Sequence, residues 1–128
     1  MIYPVTKDPA NAGDITYLDM NDVVYVESDN RNVIFHTIDG TFYPLIPKII
    51  TLESHLVPIG FRKLDRTNLV NIHKIRGFDE HRAVVFFEPE FTNNSKFATI
   101  SNFEKNQVRK QLREWIETNN QSVSDRSS

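Results

Sequence analysis

The sequence contains no cysteine. Disulfide bonds, thiolate metal centres and a cysteine nucleophile are excluded, and the composition fits a reducing compartment. Glycine is scarce. There are four in the whole chain, none ahead of a Lys-Ser or Lys-Thr pair, so no glycine-rich loop can cradle a nucleotide phosphate. No apolar run approaches the length of a membrane span, and the first residues lack the basic-then-apolar order of a secretion signal. The expectation is a cytoplasmic protein without membrane contact.

Catalytic and metal-binding patterns are also missing. His36, His55, His73 and His81 are not paired at a spacing of four and do not fall in a zinc-ligand pattern. His36 lies in a strand-like run and reads as a half-buried, hydrogen-bonded residue. Glu88 and Glu90 mimic a carboxylate pair, but Pro89 between them marks a strand end. No serine has the flanking residues of a nucleophile elbow. An acid, base and nucleophile cannot be assembled from this set. The expectation is a non-enzyme with no catalytic residue, no metal site and no cofactor.

What is present suffices for one folded domain. The chain has 128 residues, 39% of them hydrophobic and 11% aromatic, which is enough for a sizeable core. The net charge of −2 conceals a segregation. Residues 1–60 carry three Lys and Arg against eight Asp and Glu. Residues 61–113 carry eleven against six, and 114–128 carry one against three. Polyanion binding needs a local positive face rather than a positive total, and the middle of the chain can supply one.

Taken in order, residues 1–14 hold Pro4, Pro9 and Gly13 and read as an arm with at most a short strand at its start. Ile15–Met20 begins like a strand. Asp22–Glu27 is rich in β-branched and aromatic residues and reads as another. A polar turn follows at Ser28–Asn32. Val33–Ile38 and Thr41–Leu45 are strands joined by the hairpin signal Asp39-Gly40. Over Pro47–Leu56 the apolar spacing changes to that of a short helix with Pro47 in its first turn, stopped by Pro58 and Gly60. Lys74–Asp79 and Arg82–Glu88 form a hairpin about Glu80-His81, and Phe97–Ile100 is a last short strand. Ser101-Asn102-Phe103-Glu104 matches a capping box, in which Ser101 accepts from the Glu104 amide and Glu104 reaches back. Val108, Leu112, Trp115 and Ile116 then recur on one helical face, with Lys105, Arg109 and Arg113 in a row beside them. Residues 118–128, rich in Asn, Gln and Ser, read as a flexible tail. The fold class is mainly β: short antiparallel sheets, a short mid-chain helix and a C-terminal helix.

The stretch Phe61–Ile75 combines aliphatic anchors with polar and cationic residues. Phe61, Leu64, Leu69, Val70, Ile72 and Ile75 tie it to a core. Arg62, Lys63, Arg66, Thr67, Asn68, Asn71, His73 and Lys74 stand between them. Two readings are open: polar residues that merely face water, or a rigid frame that grips an anion. Polar turns at Asp29–Asn32, Asp65–Asn68 and Ser101-Asn102 all fall at element boundaries. They carry the residue types that read base edges or hold phosphates.

At these residues the chain resembles the LytTR family of DNA-binding domains, from about Ile15 to Leu112. Asp22-Val-Val-Tyr-Val-Glu27 is similar to the family's Asp-Ile-x-Tyr-Ile-Glu strand. Phe61 to Asn71 is similar to its Phe-x-Arg-x-His-Arg-Ser-Tyr-Leu-Val-Asn block. Thr99-Ile100-Ser101 is similar to its Pro-Val-Ser. With the arm at 1–14 and the tail at 118–128 read from composition, the LytTR-like domain is expected at 15–117. The resemblance implies a transcription regulator whose loops enter successive major grooves of promoter DNA. The expected DNA contacts are Arg31, Asn32, Lys63, Arg66, Asn68, Ser101 and Asn102, with two copies on repeated half-sites. Asn71 is expected to satisfy a turn. Asp65 stands where the family has His, Asn68 where it has an aromatic, and Asn102 where it has Arg. Asparagine pairs with adenine where arginine prefers guanine, so a shifted sequence preference is expected. The response-regulator form of the family places a phosphoacceptor domain ahead of this module. Only a short arm precedes it here, as in a stand-alone regulator or an excised domain. A non-catalytic protein-binding module of the same fold, using the polar rim or the acidic first half on a regulatory protein partner, is the alternative.

Overall fold

The computed structural model describes residues 1–10, 12–29, 32–45 and 49–127. Among the described residues, ten strands make two antiparallel sheets. The larger uses β1 (Ile2–Thr6), β2 (Thr16–Asp19), β3 (Tyr25–Asp29), β4 (Asn32–His36), β5 (Thr41–Pro44), β6 (Phe61–Arg62) and β7 (Asn68–Asn71). Their order across the sheet is β2-β1-β5-β4-β3-β7-β6. The smaller sheet has β9 (Val84–Phe86) between β8 (Gly77–Asp79) and β10 (Phe97–Thr99). Helix α1 spans Ile49–Leu56 and helix α2 spans Asn102–Ser127. The mainly β fold class expected from the sequence is the one observed, and the hairpin about Glu80-His81 is present as β8 and β9.

Alternation within the central strands places the layers. Val26 on β3 and Leu69 on β7 are cross-strand partners and join Phe35, Leu52 and Leu56 in one core. Their sequence neighbours Tyr25 and Val70 face the other way, where Val70 joins Leu64, Val85, Ala98, Val108 and Leu112, with Val24 ahead of β3, in a second core against which Tyr25 packs. The β3–β7 pair is thus covered on one face by α1 and on the other by the smaller sheet and α2. A strand wetted on neither face must carry apolar residues at successive positions, as Leu69-Val70 does. Each such side chain stabilises the fold by about 1.5–3 kcal/mol.

Several boundaries differ from the sequence reading. The segment expected as an arm contains the anticipated strand, and β1 is held between β2 and β5. Val5 enters the core and Tyr3 meets Phe35 edge-on, with ring centroids 5.8 Å apart. The strand expected from Asp22 starts only at Tyr25. Met20–Asp22 is a 3₁₀ turn, capped by the Asp19 carboxylate accepting from the Asn21 amide at 3.0 Å. Leu52 and Leu56 place the short helix as expected, whereas Pro47 lies outside the described residues.

The flexible tail expected at 118–128 is corrected: α2 continues through Ser127. Asn119 donates to the carbonyls of Ile72 (2.9 Å) and Ile75 (2.6 Å). Asn120 accepts from Arg76 Nε at 2.9 Å and donates to the Arg76 carbonyl. The amides of Asn119 and Asn120 thus dock the helix on the Ile72–Arg76 backbone. No helix among the described residues is long and apolar enough to cross a membrane.

Candidate nucleic-acid interface

The turn between β6 and β7 is built around Asn68. Its Oδ1 accepts from the amides of Leu64 (3.2 Å) and Asp65 (3.0 Å), and its Nδ2 donates to the Thr99 carbonyl (2.8 Å). Asp65 completes the turn. One carboxylate oxygen accepts from the Arg66 amide at 2.7 Å and the other from the Thr99 hydroxyl at 2.7 Å. The backbone is therefore fixed from both sides while Arg66 and Thr67 point to solvent. This corrects the expectation for Asn68. It is only 5% exposed and its carboxamide is fully engaged, so it holds the turn and cannot read a base. Asp65, at the family's histidine position, is a second brace of the same turn. Asn71 acts as expected: its Oδ1 accepts from the His73 amide at 3.1 Å and its Nδ2 donates to the Val23 carbonyl at 3.0 Å.

The braced turn is also the meeting point of the other two polar segments. The Ser28 amide donates to the Thr67 carbonyl at 2.7 Å, beside the tip of the β3–β4 hairpin. Asp29 and Asn32 are the last pair of that hairpin, and Asn32 is exposed. Asn30 and Arg31 lie outside the described residues. On the other side the Ser101 amide donates to the Leu64 carbonyl at 2.9 Å, and Arg62 pairs with Glu104 at 3.4 Å. The hairpin end, the Asp65–Thr67 turn and the start of α2 thus form one rim. Sequence could name the three segments but not their adjacency, which depends on β7 pairing with β3 and on Thr99 crossing above Asn68.

The capping box is only half present. Ser101 Oγ accepts from the Glu104 amide at 3.1 Å, but the Glu104 side chain turns to Arg62. The Ser101 amide is already taken by Leu64, so nothing remains for Glu104 to satisfy there. Lys63, Arg66 and Asn102 are all exposed, and among the described residues neither cation has a carboxylate partner. Free cations beside exposed amides on a rigid rim suit phosphate and base contacts. The row on α2 is less available, because Arg109 is paired with Glu80. Phe103, 69% exposed next to Asn102, was not singled out in the sequence. Its signal is that it precedes Val108 by five residues and so falls outside the apolar stripe.

Behind the rim lies a cleft of about 410 Å³ lined by Tyr25, Glu27, His36, Lys96 and Thr99, among others. His36 Nε2 meets Glu27 at 2.8 Å, and Tyr25 stacks on the imidazole with centroids 4.1 Å apart. Burial pushes the His36 pKa down against the pull of Glu27. Burial also pushes Tyr25 up to about 12, with help from Glu27. Lys96 donates to the carbonyls of Thr37 and Gly40, both at 2.7 Å, and so closes the β4–β5 turn. These contacts brace β3 against β4 and the β4–β5 turn.

The fold is mainly β, and exposed cations and amides gather on its loop rim. The family comparison gives the particular membership. The model of the LytTR DNA-binding domain matches residues 13–117, and the chain belongs to that family. Among solved structures, the chain is similar to a response-regulator LytTR DNA-binding domain from Bacillus cereus. That match has a TM-score of 0.64 and 14% identity, and covers 87% of this chain and 95% of the other. None of the curated proteins matches the chain. It is a DNA-binding regulator domain.

Proposed function

We propose that this domain is a sequence-specific transcription regulator that sets its rim against duplex promoter DNA, with its loops in successive major grooves. The observation that carries this reading is the convergence of three polar segments, held together by Ser28–Thr67, Asn68–Thr99 and Ser101–Leu64 hydrogen bonds. In this reading Arg66 contacts a base from the braced turn. Asn32 and Arg31 read from the hairpin end, and Asn102 reads from the start of α2. Lys63 and Ser101 hold phosphates. Asn68 is not a contact but the support of Arg66. Two copies act on repeated half-sites, in the cytoplasm, without a cofactor.

Binding to selected genomic fragments, measured by gel shift across a salt series, tests the reading. Arg66→Ala should weaken specific binding by roughly 1–3 kcal/mol and leave the melting temperature unchanged. Equal weakening on scrambled DNA would make Arg66 a phosphate contact. No binding even at low salt would overturn the DNA reading and favour the protein-binding module of the same fold.

A further inference from the structure

Phe103 is the large apolar side chain exposed at the rim. It directly follows Asn102 in the first turn of α2. At 100° per residue it stands about 140° around the helix from Val108, which is buried against the smaller sheet. The core therefore has no claim on it. Among the described residues no other ring or cation stacks on it either. The links Ser101–Leu64 and Arg62–Glu104 set this turn of helix beside the segment carrying Lys63 and Arg66.

The surroundings select the occupant. A protein-binding patch is a contiguous apolar surface. Phe103 instead has exposed Asn102, Asn106 and Gln107 on its own helix and the free cations of the neighbouring turn. The exposed apolar residues Ile15 and Tyr17 belong to β2 and its approach, at the opposite edge of the larger sheet from β6 and β7. A lone aromatic ring among amides and cations matches a major groove. The groove's floor is polar except for the thymine C5-methyl group, which apolar side chains contact.

Resting on the DNA reading of the rim, we infer that Phe103 is a specificity residue that packs on a thymine methyl, next to the base read by Asn102. Since asparagine pairs with adenine, the half-site carries an adenine and a thymine in neighbouring positions there. The family's arginine chemistry at Asn102 is thereby replaced by a combined amide and apolar reader.

The test begins with duplex sites selected from random DNA by the wild-type domain. Each thymine of the selected site is then replaced singly by uracil, which removes only the C5-methyl group. One replacement should weaken wild-type binding several-fold. Phe103→Ala should bind the thymine and uracil sites equally, while Phe103→Leu should keep part of the discrimination. Unchanged melting temperatures would establish that both variants fold. Indifference of the wild type to every uracil replacement, or full discrimination by Phe103→Ala, overturns the inference and leaves DNA binding intact. Selection of no site overturns DNA binding itself, and the inference with it.

Discussion

Asn68 and Asn102 show how one residue type takes opposite roles. Both are asparagines in polar segments of the rim. Asn68 is buried with its carboxamide engaged by the turn and β10, and Asn102 is exposed. Replacing Asn68 by alanine strands the amides of Leu64 and Asp65 and the carbonyl of Thr99. That should cost roughly 2–4 kcal/mol in chemical denaturation. Asn102→Ala is the control and should stay within about 0.5 kcal/mol of wild type. A mild effect at Asn68 would mean that water replaces its bonds and that the turn is not braced by it. The sequence shows that position 68 lacks the family's aromatic, but not that the substituted amide would be buried. Burial there depends on Thr99, thirty-one residues later, and no local pattern reports that contact.

Among the elements, the β3–β4 hairpin carries a pH-dependent load. Cross-strand partners Tyr25 and His36 stack face to face, with Glu27 bonded to the imidazole and Lys96 at the turn beyond. Burial lowers the His36 pKa below its ordinary 6.5. The unfolded chain therefore binds the proton more readily, and stability present above about pH 6.5 is lost as the pH falls toward the lower folded value. Urea denaturation at pH 7.5 and pH 5 should show the domain weakened by acid. His36→Gln, which cannot titrate, should flatten that component. An unchanged pH slope in the variant would assign the acid sensitivity to carboxylates. The strands themselves were legible from β-branched and aromatic runs. Their ends were not: Met20–Asp22 turns because the Asp19 cap and the burial of Met20 outweigh local strand preference. The helix after Thr118 is hidden in the sequence for a related reason. Asparagine-rich sequence is poor helix material in isolation, yet Asn119 and Asn120 each find backbone partners across the fold.

At the scale of the molecule, a net charge of −2 coexists with a rim whose Lys63 and Arg66 stand free. The acidic β2 edge and the cationic turn lie at opposite ends of the larger sheet. Such a molecule is oriented by the field of a polyanion, and its affinity for DNA falls as salt rises. Lys63→Ala should weaken binding to all sequences alike and lower the slope of log affinity against log salt by about 1. Fluorescence anisotropy over a salt series would measure it. A loss confined to one sequence would instead make Lys63 a base reader.

Helix α2 has a consequence for where the folding unit ends. Its start is stitched to the turn between β6 and β7 through Ser101 and Leu64, and its later residues to the backbone of Ile72, Ile75 and Arg76. It acts as a splint beside the Phe61–Ile75 stretch, fastened at its start and again at Asn119 and Asn120. The family match stops at residue 117, two residues short of the second fastening. A chain trimmed at that boundary keeps every proposed DNA contact and loses the anchor that steadies the frame behind them. The piece that carries the proposed DNA contacts and the piece that carries this anchor are therefore different lengths.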